Sequence, residues 1–212
     1  MRSSRALVPA PEGRLPVCTV IAGPNGSGKS SIFGLLQPAG EFINADEIAR
    51  ATGCGKARAA RLAISRLDRV VSTRGDFVFE TTLSSHHAIA LLRRARACGY
   101  EVGLVFVALA TPDLNVRRVA ERVARGGHDI PEDDIRRRSP RSFAKLASAL
   151  PLAHGSLIYD NSERVPTVVL RVEDGCIVEN RLEEDRPHHR AIAAAVAAAF
   201  GTGAFRYPRS AP

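Results

Sequence analysis

The chain has 212 residues, 45% of them hydrophobic, enough to bury one full core and close to the length expected of a single domain. No apolar stretch reaches the ~18 residues of a membrane-spanning helix, and no signal-peptide core precedes Pro16, so a protein with no membrane contact, soluble and cytoplasmic, is expected. The net charge of +8 points to nucleic acid, an anionic surface or a phosphate-bearing ligand, but aromatics at 5% and the absence of tryptophan leave few stacking platforms and argue against nucleic acid.

Residues 1–15 read as a flexible arm, and residues 16–200 as one domain followed by a tail over 201–212. The β-branched run Val17 to Ala22 predicts a strand that stops at Gly23. A helix with Ile32, Leu35 and Leu36 on one face follows Lys29. Phe42 to Asn44 reads as a second strand with helix after Asp46, and Lys56 to Ser72 as a longer amphipathic helix. A third strand, Phe77 to Phe79, ends at Glu80, and a helix is expected from Ser84 to Ala97, stopped by Gly99.

Val102 to Leu109 is a continuous apolar run, the signature of a strand buried on both faces. Two helices follow, Pro112 to Arg125 and one starting near Pro131, separated by Gly126-Gly127. Leu157 to Tyr159 predicts a fifth strand, and Val165 to Val172 with Cys176 to Leu182 a hairpin turning at Asp174-Gly175. An alanine-rich helix, Ala191 to Phe200, ends the pattern. Alternating strands and helices imply an α/β fold, a parallel sheet with helices on both faces. The four cysteines are too scattered for a metal or redox pair and are expected to be reduced.

Gly23-Pro24-Asn25-Gly26-Ser27-Gly28-Lys29-Ser30 carries the spacing of a phosphate-binding loop between a strand and a helix. Its glycines permit close backbone approach to an anion, Lys29 would reach the β- and γ-phosphates of ATP, and the Ser30 hydroxyl would coordinate Mg2+. Only three of the 30 basic residues are lysines, so Lys29 in this loop stands out against an arginine habit; a compact ammonium fits where a planar guanidinium does not.

Asp46 and Glu80 follow the second and third strands and should face the loop from the carboxyl edge of the sheet. Asp46 is the candidate base for a hydroxyl acceptor, with helix capping as the alternative. Glu80 would hold a substrate hydroxyl or assist the metal shell, with Thr81 and Thr82 adding hydroxyl contacts or merely shaping a polar loop. From Arg117 to Arg141 eight arginines face five acids, which suggests a helical lid over about 112–148 hinged at the glycine pair. Arg122, Arg137 and Arg138 are its candidate phosphate contacts, and a solvated helical face is the alternative for any one of them.

Taken together, these segments resemble the zeta toxin-like family of P-loop kinases, especially its short members. The resemblance rests on Ile21 to Ser31, Phe42 to Ala49, Phe77 to Ser84, Gly126 to Glu132 with Ile135 to Arg138, and Tyr159 to Ser162. It departs at Ser139, where an aromatic commonly follows the arginine run. The resemblance implies an ATP- and Mg2+-dependent kinase acting on a hydroxyl of a UDP-N-acetylglucosamine-type UDP-sugar and restrained by a small antitoxin. It implies Asp46 as base, Glu80 as a substrate-contacting acid, Arg122 with Arg137 or Arg138 as lid arginines, Ser31 as part of the nucleotide loop, and Asn161 beside the nucleotide base. The competing readings are a nucleotide or polynucleotide kinase, supported by the basic charge, and a regulatory nucleoside-triphosphatase module.

Overall fold

The computed structural model describes residues 13–205; most of the expected arm and tail lies outside them. Where those segments are described, Arg14 pairs with Asp76 and Thr202–Ala204 forms a turn of 3-10 helix. Strand β1 (Val17–Ala22) forms from the apolar run and leads into helix α1 (Lys29–Leu36). Gln37, left-handed at φ 44°, ends that helix, and Pro38 behind it cannot continue one. Next come β2 (Glu41–Ile43), α2 (Ala45–Thr52) and α3 (Lys56–Ser72). Then β3 (Phe77–Thr81), α4 (His86–Ala97), β4 (Glu101–Ala108) and α5 (Pro112–Ala124) alternate as the sequence predicts.

Thr111 starts α5 by accepting a hydrogen bond at Oγ1 from the Leu114 amide at 3.2 Å, with Pro112 in the first turn. α6 (Glu132–Ala149) opens with Glu132, Asp133 and Asp134, which suit the positive end of its dipole. It contains Pro140, which offers no amide to the preceding turn. β5 (Gly155–Asp160), β6 (Thr167–Glu173), β7 (Cys176–Asn180) and α7 (Pro187–Phe200) complete the chain. The final helix begins at Pro187, ahead of the alanine run on which the sequence expectation rested.

The strands form one sheet in the order β2-β3-β1-β4-β5-β6-β7. The first five are parallel; the hairpin β6-β7 adds to the same sheet antiparallel through β5. Its turn uses Asp174 at φ 46° and Gly175 at φ 79°, the positive pair that a tight two-residue hairpin requires. Because β1 sits between β3 and β4, the connections leaving it and its neighbours diverge at its carboxyl end and open a crevice there.

Helices cover both faces unequally. Cys18, Val20, Leu104, Phe106 and Ile158 share one large core with residues of α3, α4, α6 and α7. Ile21, Val78, Val105 and Val107 point to the other face, where Ile32 of α1 packs on them. Leu146 and Ala149 of α6 are fully buried in the large core, so the second half of that helix belongs to the body and a lid cannot extend to residue 148. The first half, with α5, holds a small cluster of its own, Val119, Ile130 and Ile135.

Tyr100 ties α3 to the start of β4: its buried hydroxyl lies 3.1 Å from the Val70 carbonyl and 3.0 Å from that of Gly75. Removing the hydroxyl leaves buried carbonyl capacity unsatisfied. Tyr100→Phe is expected to lower the unfolding free energy by about 1–2 kcal/mol in urea denaturation.

Candidate nucleotide site

The loop after β1 is built to present amides. Gly28 precedes α1 in the left-handed region at φ 92°, and no side chain caps that helix. Its first-turn amides therefore open toward the crevice. Two asparagines hold the loop from behind. Asn115 of α5 donates through Nδ2 to the Asn25 carbonyl at 2.6 Å, and Asn161, just after β5, donates to the Ser27 carbonyl at 2.8 Å. In a trans peptide the C=O and the next N–H point in opposite directions. Holding the carbonyls of Asn25 and Ser27 from outside thus turns the amides of Gly26 and Gly28 inward.

The approach is close enough to exclude side chains. A Cβ at Gly28 would lie 2.2 Å from Asn161 Nδ2, at Gly26 2.5 Å from the Asn115 carbonyl, and at Gly23 2.3 Å from the Val107 carbonyl. Pro24 is buried between them. Ser27 Oγ and Asn25 Oδ1 are buried with no hydrogen-bond partner among the described residues. Ser30 and Ser31 are exposed at the mouth, where the Ser30 hydroxyl is available to a cation. An uncapped helix start, inward amides, a buried amine and a free hydroxyl fit a nucleoside triphosphate with magnesium.

Lys29 is only 7% exposed, and its ammonium donates to the carbonyls of Gly23 at 2.9 Å and Pro24 at 3.0 Å. Burial pushes its pKa below the ordinary lysine value; Glu80 opposes that shift, Arg122 adds to it, and Asp46 opposes it. These three charges, from three different elements, thus act on one amine. The register accounts for it: Glu80 lies opposite Ile21 in the pairing of β3 with β1, at the threshold of the loop, and β2 sets Asp46 one strand further out.

Asp46 does not cap its helix. Asn44 does, accepting from the amides of Asp46 at 2.8 Å and Glu47 at 3.2 Å. The Asp46 carboxylate is exposed and makes no hydrogen bond among the described residues. Of the two readings for the threonines, their hydrogen bonds follow the polar loop. Thr81 Oγ1 accepts from the Leu83 amide at 3.1 Å, and Thr82 Oγ1 lies 2.8 Å from Ser84 Oγ, so both hydroxyls shape the loop's own turn around Leu83, left-handed at φ 55°.

The arginines divide. Arg122 is close enough for its charge to be felt at Lys29 and donates to the His128 carbonyl at 2.6 Å across the glycine turn. Arg137 and Arg138 share the Asp134 carboxylate, Arg138 at 2.8 Å. Arg138 lies one turn before Ser142, which donates to the Thr82 carbonyl at 2.5 Å, while Arg137 is the more exposed of the two. Arg118, not singled out by the sequence pattern, lies 3.4 Å from the Ser162 carbonyl.

Sequence reasoning also missed what stands behind Asn161. Asp160 is buried, and its Oδ2 meets His188 Nε2 at 2.9 Å, His189 Nε2 at 3.2 Å and Arg186 Nη1 at 3.3 Å. Its Oδ1 accepts from the Ser162 amide at 2.9 Å and hydroxyl at 2.5 Å. Burial alone would raise the Asp160 pKa, but the hydrogen bonds from His188, His189 and Ser162 outweigh it and hold the carboxyl well below the usual carboxylate range.

The ligand-capable atoms of Asp160, His188 and His189 lie within 4.8 Å of one another. The tautomers nevertheless argue against a cation. The Glu183 amide donates to His189 Nδ1 at 2.9 Å, so that nitrogen is bare and the proton sits on Nε2, the atom facing Asp160. A metal at Nε2 would force a proton onto Nδ1, against the Glu183 N–H. The available signal was the Pro-His-His start of the last helix, which the alanine-run reading passed over.

Strand, glycine loop and helix at the switch point of a parallel sheet define a P-loop α/β protein. Residues 41–167, well over half of the chain, match the zeta toxin family model. The chain belongs to the zeta toxin family. The match begins after the glycine loop, so the loop's assignment rests on its own geometry. An uncharacterized protein of Haemophilus influenzae is 32% identical over 122 residues, spanning 55% of this chain and 87% of its own length.

Among solved structures, a chain of the AvrRxo1-ORF1:AvrRxo1-ORF2 complex with sulphate ions has a TM-score of 0.60 at 16% identity, covering 80% of this chain and 62% of that one. The same complex with ATP gives a TM-score of 0.53 at 15% identity, with 80% and 62% covered. A chain of the PezAT chromosomal toxin-antitoxin system of Streptococcus pneumoniae gives 0.52 at 17% identity, covering 72% of this chain and 71% of that one. These likenesses show the shared fold; the present chain spans about three fifths of the AvrRxo1 chain's length. No helix among the described residues is long and apolar enough to cross a membrane.

Two outcomes follow from this geometry. Gly28→Ala places a methyl against the Asn161 amide, and its triphosphate affinity, titrated calorimetrically, is expected to fall tenfold or more, on the order of the loss from misplacing a binding group. Because the folded-state pKa of Asp160 is depressed, its contribution to stability is present above about pH 4 and is lost as pH falls below it. The stability gap between wild type and Asp160→Asn, followed by thermal melting, should therefore be widest near neutrality and narrow progressively below about pH 4.

Proposed function

We propose that the chain is a kinase that moves the γ-phosphoryl group of ATP to a hydroxyl of a small molecule, and that a UDP-N-acetylglucosamine-type UDP-sugar is the first acceptor to try. The observation that carries this reading is the exposed Asp46 carboxylate, released from capping by Asn44 and close enough for its charge to be felt at the buried Lys29 amine of the loop. A nucleotide cradle alone needs no uncommitted carboxylate on its open side; transfer to an alcohol does.

In this reading the inward amides of Gly26 and Gly28 and the start of α1 hold the phosphate chain, and Lys29 exchanges its two carbonyl partners for phosphate oxygens. Bound magnesium, held through Ser30, would neutralise phosphate charge. Asp46 accepts the proton of the attacking hydroxyl as the new O–P bond forms and the bond from the γ-phosphorus to the bridging oxygen breaks, leaving ADP. Glu80, nearer the loop, orients the acceptor or the metal's water shell. Arg122 stabilises the charge that spreads over the transferring oxygens. Arg138, once released from Asp134, is the second lid arginine in reach of that edge. The PezAT and AvrRxo1 structures are complexes, the former a toxin-antitoxin system, and they support looking for a small antitoxin partner of this chain.

Phosphorus NMR of the protein with ATP, Mg2+ and a panel of UDP-sugars tests the reading: a new phosphomonoester signal together with ADP is expected for one member. ATP turnover that no acceptor stimulates would overturn it. Asp46→Asn should lower turnover by about 10²–10⁴-fold while ATP affinity stays within about twofold, and Lys29→Ala should lose both.

A further inference from the structure

We propose that His188 and His189 are positioning residues of the nucleotide site, acting through Asp160 on the Asn161 amide that orients the phosphate loop. This inference rests on the nucleotide-site reading above but requires neither an acceptor nor transfer. Both histidines lie beyond residue 167, outside the stretch that matches the family, in the first turn of α7. They are 5% and 1% exposed, so they act through the groups packed on them rather than on a ligand directly.

Their effect passes along a short path. Asp160 receives His188, His189 and Arg186 on one oxygen and the Ser162 amide and hydroxyl on the other, so its carboxylate is saturated and has one orientation. Ser162 Oγ in turn accepts from the Ala110 amide at 2.8 Å, and the Asn161 amide donates to the Ala108 carbonyl at 3.0 Å. The turn 160–162 is therefore pinned to β4 on one side and to α7 on the other. With its backbone fixed, Asn161 directs its side chain to the Ser27 carbonyl, and that bond aims the Gly28 amide into the cradle.

His188 is the clean point of intervention. Its Nε2 donates to Asp160, while its buried Nδ1 has no hydrogen-bond partner among the described residues, so a glutamine whose amide nitrogen reaches the place of Nε2 keeps the one bond that matters. Loss of the donor removes one of the five bonds that fix the Asp160 carboxylate and loosens the turn that carries Asn161. The groups facing the carboxylate are His188 and His189 from α7, Arg186 before it and Ser162 from the turn.

The test is ATP binding by calorimetry on the full chain, well below the melting temperature, for wild type, His188→Ala, His188→Gln, Asp160→Asn and Tyr100→Phe. His188→Ala and Asp160→Asn are expected to raise the ATP dissociation constant about tenfold, the order expected from losing one charge-assisted hydrogen bond. His188→Gln should recover most of the affinity, and Tyr100→Phe should lose stability with wild-type affinity. If His188→Ala does not fold, Asp160→Asn, which keeps the side chain's shape, is read with the same expectation. Unchanged ATP affinity in His188→Ala and Asp160→Asn overturns the inference, as does a glutamine variant as weak as the alanine one. Wild-type protein that binds ATP but phosphorylates nothing overturns the kinase reading alone, whereas wild type with no ATP affinity overturns both.

Discussion

The structure depends on one constraint, the planarity of the peptide bond, applied at two places in a glycine loop. A carbonyl held from behind commits the amide that follows it to the opposite direction. Asn115 and Asn161 exert that hold from α5 and from the end of β5, the strand on the far side of β4 from β1. The loop's amides are therefore oriented by tertiary structure before any anion arrives. Preorganisation of this kind spares the ordering cost that a floppy glycine segment would incur on binding.

The same economy explains the charges. Lys29 is buried, a placement unfavourable for an ammonium unless carbonyls and carboxylates surround it. Gly23 and Pro24 supply the carbonyls, and β3 and α2 supply Glu80 and Asp46. Asn44 takes over the capping of α2, which leaves the Asp46 carboxylate uncommitted. The helix is thus stabilised by a neighbour, and the acid remains free for chemistry.

The sheet, the glycine loop and the order of the helices were legible because each is written locally: the buried run Val102 to Leu109 as a strand, Gly99 as a helix stop, Asp174-Gly175 as a hairpin turn. Asp46 was legible as an acid just beyond a strand; Glu80 was expected there too but lies inside β3, which runs on to Thr81, and both still fall at the edge where a parallel sheet sets the ends of its strands. What the sequence withheld is whatever depends on contact across long separations. Nothing local says that Asn161 serves the Ser27 carbonyl 134 residues earlier, or that Asn115 serves the Asn25 carbonyl 90 residues earlier. The arginine run illustrates the same limit. Its composition suggested one lid, but burial of Leu146 and Ala149 divides α6 into a half that belongs to the body and a half that does not.

The stretch matched by the family lies between the glycine loop and the last helix, and the two flanking pieces meet at Asp160-Asn161. Thermodynamic reciprocity gives that meeting a consequence. If docking of α7 tightens the cradle around an anion by some factor, a bound anion must strengthen the docking of α7 by the same factor. Filling of the crevice is then legible at the opposite end of the chain, as slower amide exchange in a helix that never touches the ligand.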